Sequence, residues 1–131
     1  YDLRFPVWSR QASPSNSLSK GEGGLASPEY DVLIYVANWP ERRNTAWKTL
    51  LQARAIENQC YVVGVNRVGN DGNSINHSGD SMAIDPLGEI LYQKKDEEDI
   101  FTITLNKDHL QSIREKFPFW RDGDNFTIIT G

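Results

Sequence analysis

Tyr30-Asp31-Val32-Leu33-Ile34-Tyr35-Val36-Ala37 is the stretch that decides the fold. It is nearly continuously apolar and β-branched. A strand wetted on one side alternates apolar with polar residues, whereas an unbroken run reads as a strand covered on both faces, as in a layered α/β protein. Asn38-Trp39-Pro40 ends it at a turn.

Downstream, the spacing predicts a helix from about Glu41 to Asn58. Glu41 lies near its start, and Trp47, Leu50, Leu51, Ala55 and Ile56 form an apolar stripe. Arg54 follows Trp47 by seven and Leu50 by four, so it points partly along that stripe. A second buried-type strand, Cys60 to Asn66, comes after one linking residue. Arg67 to Ser78 is polar and reads as a loop. Strands over Asp80–Ile84 and Glu89–Gln93 flank the turn Asp85-Pro86-Leu87-Gly88. A further strand is predicted at Ile100–Leu105 and a helix over Lys107–Lys116. Upstream, residues 11–29 are rich in Ser, Gly and Pro and read as an exposed loop. The end, 117–131, begins Phe117-Pro118-Phe119-Trp120 and reads as a packing tail. This order predicts a mixed α/β sheet with helices on its outer side. Two doubly covered strands served by two helices lack cover, which implies a second sheet.

With 131 residues, the sequence fits one domain or part of one. A net charge of -4, with no basic cluster larger than a Lys or Arg pair, argues against a nucleic-acid partner. No apolar run reaches the ~18 residues that cross a bilayer, and no signal peptide is visible, so no membrane association is expected. Cys60 is the single cysteine, which predicts a reducing, cytoplasmic setting.

Four blocks then stand in order: Tyr1-Asp2-Leu3-Arg4-Phe5-Pro6-Val7-Trp8-Ser9-Arg10; Val36-Ala37-Asn38-Trp39-Pro40; Gln52-Ala53-Arg54-Ala55-Ile56-Glu57-Asn58-Gln59; and Gly79-Asp80-Ser81 leading to Asp85-Pro86-Leu87-Gly88-Glu89. Together they resemble segments of the nitrilase, or carbon–nitrogen hydrolase, superfamily, and within it the ω-amidases that hydrolyse 2-oxo acid ω-amides such as 2-oxoglutaramate. The long loop at 11–29 departs from the shorter connection of the family. The resemblance implies the C-terminal half of a four-layer α-β-β-α sandwich, with 1–131 as half of a single domain, and a homodimer.

It further implies a Glu–Lys–Cys chemistry in which the Cys lies directly before Tyr1 and the Glu and Lys lie in the other half of the domain. None of the three is in this sequence, so the segment alone is expected to be inactive and poorly folded. What the resemblance places here is the supporting shell. The Tyr1 backbone N–H faces the oxyanion; Arg4, Asn38 and Trp39 bind substrate; Asp2, Arg54 and Glu57 brace the site. No cofactor or metal is implied.

Each assignment has a plainer counterpart. Arg4 reads equally as a carboxylate binder and as an ion-pair partner of Asp2, since a guanidinium fork suits either. Trp39 is a pocket wall or a core aromatic. Arg54 leans toward structure, with Glu57 and Glu41 nearby to satisfy it. Cys60 opens an apolar strand without a flanking His and reads as a small buried hydrophobe. The 70–80 stretch lacks the spaced acidic ligands and closing Glu of a calcium loop, and His77 and His109 lack a second ligand at zinc spacing. Two functions compete: an amidase acting on a small carboxylate-bearing amide, or on a different amide in another branch, and a non-catalytic module that binds a partner through Phe117–Trp120.

Overall fold

A computed structural model of the chain describes residues 2–10 and 28–122. A 3-10 turn at Asp2–Arg4 leads into the short helix α1 (Pro6–Ser9), with proline in its first turn. The strands are β1 (Val32–Ala37), β2 (Tyr61–Asn66), β3 (Val68–Asn70), β4 (Asn76–Ile84) and β5 (Ile90–Lys95); the longer helices are α2 (Asn44–Asn58) and α3 (Lys107–Lys116). β1 and β2 pair in parallel, Val32 opposite Tyr61 through Ala37 opposite Asn66. α2 is the connection between them. β4 runs antiparallel to β2, β3 and β5.

The core lies between the sheet and α2. Trp47, Leu51 and Ala55 on the helix meet Val62, Met82 and Ile84 on the strands, all buried. Each large apolar side chain so placed contributes about 1.5–3 kcal/mol relative to exposure. Gly64 sets how closely the layers approach. A Cβ there would stand 2.4 Å from Leu51 Cδ1 and 2.9 Å from an atom of the Trp47 ring. At that position only hydrogen fits. Trp47 is also fixed at its polar tip, donating from Nε1 to the Asp80 carbonyl at 2.8 Å.

Among the described residues the other face of β1 is open. Leu33, Tyr35 and Ala37 turn toward the core, while Ile34 and Val36 on the alternate side are 63% and 81% exposed. Val65 of β2, exposed too, lies beside Val36 in the register. The double cover that the apolar run predicts is therefore supplied on one face only by the described residues. α3 closes the opposite end. Asn106 caps it by accepting from His109 N at 3.0 Å, and Arg114 reaches back with three bonds: to the Gln59 carbonyl, the Tyr30 carbonyl and the Asp31 carboxylate.

Several expectations need correction. The polar stretch 67–78 contains a hairpin, β3 with the start of β4. It carries no apolar alternation because its turn is built by a side chain: Asp71 Oδ1 accepts from Asn73 N and Ile75 N. The strand expected at 100–105 is not formed. Ile100 is 98% exposed, and a β-rich composition makes no strand without a ladder partner. The helix predicted from Glu41 opens as a 3-10 turn, Glu41–Arg43, before α2 begins. Ile56 is mostly exposed rather than in the core stripe; it lies over the turn at Gly88, whose φ is +87°. Of the loop at 11–29, only Pro28 and Glu29 fall among the described residues. Of the tail at 117–131, residues 117–122 do: Phe117 stacks on Phe119, and its carbonyl accepts from Gln59 Nε2 at 2.7 Å.

Candidate active site

Arg4, Asn38 and Trp39 come together. With Val36, Ala37 and Arg43 they line a cavity of about 340 Å³ at the C-terminal end of β1. Outside the carboxyl ends of strands is where ligands bind in open α/β sheets. Trp39 is the buried element and Arg4 and Asn38 are exposed. The two readings of Trp39 thus merge: one flank packs at 5.7 Å, centroid to centroid, against Trp47 of the core, and the residue also walls the cavity.

Trp39 is held from three directions. Its backbone N–H donates to Asn66 Oδ1 at 2.7 Å, and its carbonyl accepts from Asn66 Nδ2 at 3.0 Å. The indole Nε1 donates to the Arg43 carbonyl at 2.7 Å. Asn66 Nδ2 also reaches the Gly79 carbonyl at 2.8 Å, and Asn66 N donates to Ser81 Oγ at 3.0 Å. The block Gly79-Asp80-Ser81 is thereby tied to the pocket wall. That block is a β-bulge, with Asp80 at φ +53° and the register shifting between Gly79 and Ser81. Asp80 is fully buried, and its carboxylate accepts from Asn44, Ser78 and Gln93.

Arg4 does not pair with Asp2. The two form no ion pair, and the Arg4 guanidinium lies over the Trp39 ring, 4.9 Å from its centroid. Asp2 instead faces a separate depression with Trp8, Tyr30 and Tyr35, and its carbonyl accepts from Phe5 N at 3.0 Å. Arg54 is buried and points forward beneath the Asp2–Arg4 turn: Nη2 donates to the Leu3 carbonyl at 2.6 Å, and Nη1 pairs with Glu57 at 2.9 Å. Glu41, the other acid considered for Arg54, goes to Asn76 and Lys95. Tyr1 lies outside the described residues.

Cys60 is buried, and burial pushes its thiol up to about 12. A thiol held protonated at neutral pH is a poor nucleophile. Sequence reasoning missed Asn66, Arg43 and Arg67, whose Nη1 lies 3.5 Å from Asn38 Oδ1. Asn66 had one faint signal, a polar residue at the end of an otherwise apolar strand.

Residues 24–115 match the carbon-nitrogen hydrolase family. The protein of Escherichia coli (strain K12) named Omega-amidase YafV is 45% identical over 129 residues, 98% of this chain and 44% of the relative. The 2-oxoglutaramate amidase of Bacillus subtilis (strain 168) is 36% identical over 122 residues, 93% of this chain and 42% of the relative. The crystal structure of XC1258 from Xanthomonas campestris, a CN-hydrolase superfamily protein with an arsenic adduct in the active site, superposes with a TM-score of 0.89 at 43% identity, covering 98% of this chain and 46% of that one. The chain spans less than half the length of each of these relatives. The family match over 24–115 and identities of 36–45% across most of the chain show that it belongs to the carbon-nitrogen hydrolase family.

Proposed function

We propose that this chain is the C-terminal half of a single hydrolase domain that cleaves the C–N bond of a small, carboxylate-bearing linear amide, of which 2-oxoglutaramate is the type. The observation that carries the reading is the cavity in which Arg4, Asn38 and Trp39 meet, in a chain so similar to a protein named an ω-amidase. Arg4 offers a cation to the carboxylate. Trp39 supplies a flat apolar wall and Asn38 a polar rim.

In this reading the nucleophilic Cys directly precedes Tyr1, and a Glu base and a Lys come from the rest of the domain. The thiolate attacks the amide carbon, and the carbonyl electrons move to oxygen, where the Tyr1 N–H and the Lys ammonium stabilise them. Collapse of this intermediate breaks the C–N bond; the nitrogen takes the proton that the Glu drew from the thiol and leaves as ammonia, which frees the Glu as a base again. Water, deprotonated by the Glu, then attacks the thioester and releases acid and thiol. Arg54 keeps the segment after the nucleophile in place through the Leu3 carbonyl. The same reading places the protein in the cytoplasm as a homodimer; no described helix is long and apolar enough to cross a membrane, and exposed Val7 and Trp8 on α1 offer apolar surface for a second copy.

The test is to mix the full-length protein with 2-oxoglutaramate or succinamate and follow ammonia. Release that is abolished by replacing the Cys before Tyr1 supports the reading. A folded protein that carries that Cys and releases none rejects it.

A further inference from the structure

We propose that Arg43 is a second specificity residue for the carboxylate of the substrate, acting with Arg4 at the Trp39 ring. The inference rests on the amidase reading above and adds a residue to it.

Arg4 and Arg43 come from different elements, the turn before α1 and the turn before α2. Their guanidinium carbons nevertheless lie over the same indole, 4.9 Å and 5.9 Å from its centroid, and both side chains line the same cavity. Neither makes an ion pair among the described residues. The nearest acid in sequence to Arg43, Glu41, is already engaged with Lys95 and Asn76. Two like charges sharing a cavity without an acid repel one another, and an aromatic face offsets that only in part. A carboxylate bound in that cavity offsets it further, and two guanidinium groups offer it planar, charge-assisted donors.

The backbone of Arg43 is also fixed where this role needs it. Its N–H donates to the Pro40 carbonyl at 3.0 Å, and its own carbonyl accepts from Trp39 Nε1 at 2.7 Å. The indole and the Arg43 backbone are therefore tied to each other by one hydrogen bond. A neutral amide has nothing to gain from that pair of charges, so Arg43 discriminates between substrates rather than promoting the chemical step.

The experiment uses the full-length protein with Arg43→Gln and Arg43→Lys, assayed on succinamate and on butyramide, its counterpart without the carboxylate. For Arg43→Gln the ratio of kcat/KM for succinamate to that for butyramide is expected to fall about tenfold, mainly through the KM for succinamate, as suits the removal of one charge-assisted hydrogen bond near solvent. Arg43→Lys should recover part of that ratio. An unchanged ratio in Arg43→Gln overturns the proposal, because a merely structural Arg43 would depress both amides alike. If wild-type protein hydrolyses neither amide, succinate decides the anion site instead, and the amidase reading itself fails only when 2-oxoglutaramate is not cleaved either. Thermal stabilisation by succinate in wild type and not in Arg43→Gln sustains it; equal response in both overturns it.

Discussion

The side-chain amide of Asn66 clamps both polar groups of the Trp39 backbone from 27 residues away, accepting from its N–H at 2.7 Å and donating to its carbonyl at 3.0 Å. The amide thus acts as an extra rung beyond the end of the β1–β2 ladder, and it sets the position of the pocket wall. A third bond, to the Gly79 carbonyl, holds the bulge of β4 against the same point.

Asn66→Asp keeps the acceptor and turns the donor into an oxygen facing two carbonyls. Each buried partner left unsatisfied costs roughly 1–3 kcal/mol. We expect a lowered denaturation midpoint with unchanged m-value in the full-length protein, and a raised KM for carboxylated amides because Trp39 shifts. Wild-type stability in this variant would show that the clamp is unimportant.

Arg54→Met removes the donor to the Leu3 carbonyl and leaves that buried oxygen unpaired. The loss is about 2–3 kcal/mol, which for a domain of family length lowers Tm by roughly 5–10 °C. kcat should fall more than KM rises, since the supported turn follows the proposed nucleophile. Steady-state kinetics at a temperature where the variant remains folded separate the two effects.

Gly64→Ala places a methyl group 2.4 Å from Leu51 Cδ1. Overpacking of this kind costs about 1–3 kcal/mol. The pair Gly64→Ala with Leu51→Ala relieves the clash, so the double variant should lose less stability than the sum of the single ones. Strict additivity in thermal melts would count against close packing at this site.

The Cys60 thiol is pushed up to about 12 by burial, so its alkylation by iodoacetamide at pH 8 should be slow in the native protein and fast after denaturation. The sign of the pH effect follows from proton counting. In the unfolded chain the thiol ionises near pH ~8.5, whereas in the folded one it holds its proton until about 12. Between these values the unfolded state binds fewer protons, so stability falls as pH rises. Below pH 8 the contribution is flat. Cys60→Ala should make the alkaline slope shallower in a Tm series from pH 8 to pH 11, the half-buried Tyr30 phenol, also raised by burial, supplying part of what is left above pH 10.

Local pattern made much of this fold legible. The unbroken run at β1, the recurrence of Trp47, Leu51 and Ala55, and the Asp85–Gly88 turn each satisfy their physics within a few residues, and each formed where expected. The hairpin at 68–78 was hidden because Asp71 builds its turn with a side chain and buried His77 and Ser78 sit where apolar residues would give the alternation away. The 100–105 segment misled for the converse reason: its composition suits a strand, but a strand requires a neighbour. At the site, Arg4, Asn38 and Trp39 stood out through the motifs around them. Asn66, Arg43 and Arg114 did not, since a bond between residues dozens of positions apart leaves no trace in either neighbourhood.

Ile34, Val36 and Val65 have a practical consequence for making this protein. β-branched side chains in water on a ready-paired sheet are a template for self-association, so bacterial expression of residues 1–131 on their own should deliver inclusion bodies. Co-production with a polypeptide able to sit on that face should keep the material in the supernatant, which turns solubility into a readout of assembly.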